Sequence, residues 1–120
     1  MNCHDRDFAS LPFAERIAAR QPHARIETID DLGFVDAVIA DIKLRHQIAE
    51  GEIYAAGFSQ GGLFSQNLAC NRSAVFKAVA VVAGSMSQQL AASCAPEAPV
   101  SVMMVHGSHD AVLPYNGLTD

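Results

Sequence analysis

From Asp30 onward the apolar positions of this chain fall into runs whose spacing assigns an element to each. Leu32, Val35, Val38, Ile39 and Ile42 recur at helical intervals with Asp36, Asp41, Lys43 and Arg45 opposite, the pattern of one apolar helix face. Asp30 or Asp31 can cap that helix, and Gly51 is a natural stop. Glu52 to Phe58 reads as a strand. Leu63, Phe64 and Leu68 are spaced for one face of a helix from about Gly61 to Asn71, and Phe76 to Ala83 reads as a second strand. Gly84 to Pro99 reads as a loop leading into a third strand, Val100 to His106. Before Asp30 the signal is weaker: residues 1–12 look irregular, and Phe13 to Arg20 fits a short helix that stops before Pro22.

Helix, strand, helix, strand, loop, strand is the order of an α/β domain. Near-continuous apolar strands such as Val79-Ala80-Val81-Val82 imply a parallel sheet with helices on both faces. A sheet of only these strands would keep two edges, with unpaired backbone groups and apolar surface. In open parallel sheets the reactive groups collect beyond the carboxyl ends of the strands. That rule singles out the turn after Phe58 and the loop after His106.

Composition narrows the class. The 120 residues allow one domain, 1–120, half of it apolar. The net charge is −5, and the basic residues Arg6, Arg16, Arg20, Arg25, Lys43, Arg45, Arg72 and Lys77 are scattered, which argues against a nucleic-acid partner. The longest apolar run, Ala78 to Gly84, is too short to span a membrane. His4, Asp5, Arg6 and Asp7 stand where a signal peptide would carry its hydrophobic region. Cys3, Cys70 and Cys94 fit neither a zinc ribbon nor a redox pair. A buried thiol is the plain reading of Cys70, and Cys94, close to Pro96, is a candidate disulfide half.

The chemistry lies in Gly57-Phe58-Ser59-Gln60-Gly61, a G-x-S-x-G between a strand and a helix. A serine on so sharp a turn adopts an unusual backbone conformation, and the flanking positions, Gly57 and Gly61, must lack side chains that would collide with neighbouring strand and helix. Its hydroxyl needs a base to take the proton, and the base needs a carboxylate to orient it. Hydrolases on such sheets take these groups in the order serine, acid, histidine, and Asp110 stands where the acid belongs. The plain alternatives are a glycine-rich turn at Ser59 and, at Asp110, an aspartate that caps its own loop.

Four blocks in order resemble the polyhydroxybutyrate depolymerase and feruloyl esterase family of α/β-hydrolases, across roughly Asp30 to Gly117. They are Asp30-Asp31-Leu32-Gly33-Phe34-Val35; Gly57-Phe58-Ser59-Gln60-Gly61-Gly62; Leu68-Ala69-Cys70 with Val82-Ala83-Gly84-Ser85; and Cys94-Ala95-Pro96 with His106-Gly107-Ser108-His109-Asp110 and Pro114-Tyr115-Asn116-Gly117. The resemblance implies a partial α/β-hydrolase fold with Ser59 as nucleophile, Asp110 as acid and the Gln60 backbone N–H as an oxyanion donor. It also implies carboxylic ester substrates, polymeric for some members, and no cofactor or metal. Members are often secreted; the compartment of this chain stays open.

The chain also departs from that pattern. Gln60 makes a G-F-S-Q-G-G that is similar to the phospholipase and carboxylesterase family. No histidine occurs in Ala111 to Asp120, and no H-G segment precedes Ser59. Early strands and the final strand and helix have no counterpart. The expectation is therefore an internal portion of a longer hydrolase that lacks its catalytic histidine and is inactive alone. His4, His23 and His46 lie in polar surroundings; His106 is expected to shape the acid loop, and His109 is a poor surrogate base. Two other classes remain: a metal or redox site drawn from Cys3, His4, Asp5, Cys70, Cys94, His106 and His109, and a non-catalytic domain that offers a sheet edge to a partner.

Overall fold

The computed structural model describes residues 29–117, and the elements below belong to the unit that begins at Asp31. The short helix read over Phe13 to Arg20, together with Cys3, His4, Asp5 and His23, lies outside the described residues. Helix α1 spans Asp31–Arg45, with Asp31 in its first turn and Lys43 and Arg45 in its last, charges that complement the helix dipole. It ends at Arg45, well before Gly51, because the apolar spacing runs out after Ile42. Gly51, at φ 76°, instead makes the turn that feeds the first strand. Of the residues read as its apolar face, Leu32, Val35 and Ile39 pack on the core, whereas Val38 and Ile42 remain 39% and 40% exposed. The helix therefore meets the core over its first turns and leaves it along its length.

Strands β1 (Ile53–Phe58), β2 (Phe76–Val82) and β3 (Ser101–Val105) form a parallel sheet in the order β1-β2-β3. Each strand is a residue or more shorter than its apolar run, since ladder pairing sets the bounds and apolar character does not. Ile53 pairs with Phe76 and Tyr54 with Ala78, so Lys77 is bulged out. That irregularity brings Phe76, Val79 and Val81 onto the same face as Ile53, Ala55 and Gly57. Helix α2 (Gln60–Asn71) covers this face through Leu68 and Ala69, and Val81 at the centre is 0% exposed. Burial of a large aliphatic side chain such as Leu68 or Val81 contributes about 1.5–3 kcal/mol.

Two ties hold the far end of α2. Cys70 is disulfide-bonded to Cys94, which replaces the buried-thiol reading of Cys70 and bears out the half-cystine reading of Cys94. Arg72 grips Asp36 of α1, its Nη2 2.8 Å from Oδ2 and its Nε 2.9 Å from both carboxylate oxygens. The bond lowers the Asp36 pKa from its ordinary value. Ser73 Oγ accepts from the amides of Glu97 and Ala98 at 2.9 and 3.2 Å.

Two expectations need correction. The segment read as a loop contains a short helix, α3 (Gln88–Ser93), begun by Ser87, whose side chain accepts from the Leu90 amide at 3.1 Å. Nor do the described helices cover both faces of the sheet. Tyr54 and Phe58 of β1, Val82 of β2, and Met103 and Val105 of β3 stand exposed on the face away from α2, and every residue of β3 is exposed. The described part is a small α/β domain with its core on one side only.

Candidate active site

Ser59 joins β1 to α2 in a conformation that few residues other than glycine adopt, φ 55° and ψ −115°. Its amide donates to Val82 O at 2.9 Å and its carbonyl accepts from Leu63 at 3.1 Å, so the neighbouring strand and the first helical turn grip it from both sides. Backbone strain persists only where surrounding structure over-determines it. Ala83, at φ 48°, repeats the arrangement one strand over, its amide donating to Val105 O at 2.8 Å.

The tight turn works only because particular positions lack a side chain. A Cβ on Gly57 would overlap the carbonyl of Gly61 and lie 2.6 Å from Gly62 N. A Cβ on Gly61 would meet nothing within 4 Å, so the expectation that both motif glycines avoid collisions holds for Gly57 and is corrected for Gly61. The second tight position is Gly62, where a Cβ would come 3.0 Å from Val81 Cγ1 and 3.2 Å from Gly57 O. The third is Gly84, whose added Cβ would lie 3.0 Å from Ser59 O. Sequence reasoning assigned no role to Gly62 or Gly84. The doubled glycine after the serine and the small-residue run Ala83-Gly84-Ser85 were the signals available.

Gln60 opens α2, where the first backbone N–H groups have no intrahelical acceptor and the helix dipole favours negative charge. Leu63 N–H makes the first bond of the helix, to Ser59 O. The amide that follows Ser59 is thus available to an oxygen at the turn.

Asp110 lies beyond β3 on the rim that Ser59 occupies beyond β1, because the sheet is parallel and Phe58, Val82 and Val105 are level in its register. With β2 between them, the two strands stand about 10 Å apart. Asp110 Oδ1 accepts from the amides of Val112 at 2.8 Å and Leu113 at 3.0 Å, the loop-capping geometry considered above. These bonds, Leu113's first, hold its pKa below the ordinary carboxylate value, with a smaller contribution from His106. Oδ2 lies 3.5 Å from His106 Nε2. That nitrogen is 2.7 Å from Leu113 O, and since a carbonyl only accepts, Nε2 carries the hydrogen. His106 therefore braces the loop that carries Asp110, as its position before Gly107 suggests, and Tyr115 meets its ring edge-on at 6.0 Å. His109 turns to Ser108 Oγ at 3.0 Å, and both are exposed.

The described residues hold no group of three or more His, Cys, Asp or Glu side chains able to bind a metal ion, and Cys70 and Cys94 are committed to each other. Among them no helix is long and apolar enough to cross a membrane.

No family model matches the chain. Its sequence is similar to curated proteins, among them a probable feruloyl esterase C of Aspergillus clavatus, 35% identical over 88 residues that make up 73% of this chain and 31% of that protein. Feruloyl esterase C of Emericella nidulans is 33% identical over 73% of this chain and 32% of its own length. A putative esterase, NocK, of Nocardia uniformis subsp. tsuyamanensis is 32% identical over 74% of this chain and 26% of its own length. The chain spans about a third of the length of the curated relatives it matches.

Proposed function

We propose, from the premise that this chain belongs over its matched residues to the feruloyl esterase family, that it carries the nucleophile and acid of a serine-dependent carboxylic ester hydrolase with a partial α/β-hydrolase fold. Ser59 Oγ attacks the ester carbonyl as a base takes its proton, forming the Oγ–C bond of a tetrahedral intermediate. The negative charge that develops on the former carbonyl oxygen is met by the Gln60 N–H, already oriented at the start of α2. Collapse expels the alcohol, which regains the proton from the base. Water then attacks the acyl-serine by the same route and releases the acid.

Asp110 serves as the carboxylate that orients the base, its Oδ1 fixed by two loop amides so that Oδ2 can accept from an imidazole. Residues 111–120 include no histidine, so the base comes from elsewhere than that stretch. Substrates are feruloyl or related aromatic-acid esters, a reading supported by the feruloyl esterases among the relatives. A polyester substrate is the second reading, supported by the motif blocks alone.

The observation that carries the reading is Ser59 at φ 55° between β1 and α2, gripped by Val82 and Leu63. The test uses the reading frame expressed at its full extent and treated with a fluorophosphonate. A single adduct on Ser59, lost in Ser59→Ala, is expected. Labelling that persists in Ser59→Ala refutes the nucleophile.

A further inference from the structure

Residues 85–93, which follow β2, lie between two fixed points, and among the described residues little else holds them. Their root, Gly84, is buried against the elbow: a Cβ there would lie 3.0 Å from Ser59 O and 3.2 Å from Gly62 C. Their far end is Cys94, bonded to Cys70, which stands about two helical turns along α2 from Gly62. Between these points every residue except Leu90 is exposed, and the hydrogen bonds of the segment run among its own residues. Helix α3, Gln88–Ser93, has six residues and buries none of them. Isolated helices shorter than about 12–15 residues are marginal in water, so α3 owes its persistence to the pinning of its ends.

We infer that the Cys70–Cys94 disulfide is a redox-sensitive clamp on the elbow: its reduction releases α3, loosens Gly84 against Ser59 and lowers the reactivity of that serine. The inference rests on the reading of Ser59 as nucleophile. The reductant is a dithiol, which supplies two electrons and two protons. Its thiolate attacks Cys94 Sγ, because Cys94 is partly exposed whereas Cys70 is buried, and Cys70 leaves as a thiolate that takes up a proton. The second thiol of the reagent then displaces Cys94 as a thiol and closes a cyclic disulfide. Beyond Cys94 the next tie is Ser73 Oγ, which accepts from the amides of Glu97 and Ala98. Reduction therefore extends the untethered stretch from residues 85–93 to residues 85–96. The backbone of Ser59, at φ 55°, keeps its conformation only while its surroundings over-determine it, and Gly84 is one of those surroundings. A freer Gly84 lowers the fraction of molecules whose elbow has the reactive geometry, and the rate falls in proportion.

The experiment times fluorophosphonate labelling of Ser59 on the full-extent protein, oxidised and then reduced with dithiothreitol, at a temperature where both forms stay folded by circular dichroism. Reduction is expected to slow labelling about fivefold, as a competent fraction of about one fifth implies, and reoxidation to restore it. The Cys70→Ser, Cys94→Ser double variant labels at the reduced rate with or without dithiothreitol. Equal rates for the oxidised and reduced protein, or a dithiothreitol effect that survives in the double variant, overturns the clamp. If the oxidised protein is not labelled at Ser59, the nucleophile reading fails instead, and amide hydrogen exchange decides the clamp separately. Faster exchange of the Leu90, Ala91 and Ser59 amides on reduction, with Val81 unchanged, sustains it, and unchanged exchange at Ser59 overturns it. The same exchange measurement decides the matter if the double variant does not fold.

Discussion

Gly57 and Gly61 enter as equivalent members of one motif, yet the space around them differs. At Gly57 even a methyl group collides with backbone atoms of α2, and backbone cannot swing aside as a side chain can. Gly57→Ala should therefore cost more than about 3 kcal/mol. Gly61→Ala, pointing into open space, should be neutral or stabilising by up to about 1 kcal/mol, because alanine outranks glycine in a helix. Urea unfolding of the two variants measures the contrast, and equal losses would contradict the geometry. At Asp110 the argument is electrostatic. Its pKa is lowered in the folded chain, so the stability it supplies is complete above its unfolded pKa and disappears as pH falls through the folded value. Asp110→Asn should accordingly lower the thermal midpoint at neutral pH, and the gap to the unmodified protein should close on acidification below the ordinary carboxylate range. A gap independent of pH would assign the effect to shape rather than charge.

At the scale of elements, α2 is held at both ends by different means. Its start is fixed by close glycine packing against β1 and β2, and its end by the Cys70–Cys94 disulfide and the Arg72–Asp36 pair. The disulfide joins residues 24 positions apart, for which closure of the unfolded chain predicts about 3 kcal/mol. The Cys70→Ser, Cys94→Ser double variant should lose about that much and become insensitive to dithiothreitol, while the unmodified protein falls to the same urea midpoint on reduction. Equal midpoints for oxidised and reduced protein would remove the tie from the stability of the fold. Helix α1 shows how far periodicity reaches: it assigned the element, but Val38 and Ile42 match the pattern and still face solvent. A helical repeat reports that a face exists, whereas the length of the neighbouring surface decides how much of it is covered.

At the scale of the molecule, the described sheet has one covered face and one open face. The open face carries Tyr54, Phe58, Val82, Met103 and Val105, and β3 is exposed throughout. The three strands, their parallel direction and the two helices flanking β1 were legible in the sequence, because unbroken apolar strands alternating with helical periods have few other solutions. So was the rim shared by Ser59 and Asp110, since it follows from strand direction alone. Helix α3 was missed because its residues, Gln88 to Ser93, carry too few apolar positions to show a period, and only the cap at Ser87 marks its start. The bulge at Lys77 was also invisible, yet it aligns Phe76 with Val79 and Val81 on the core side. What the sequence determined by itself was the order of elements and the kinds of chemical group at their ends, since both depend on neighbours along the chain. Which glycines are indispensable, which cysteines join, and which apolar residues meet the core were decided only by the tertiary structure, because each depends on atoms that distant segments bring within a few ångströms.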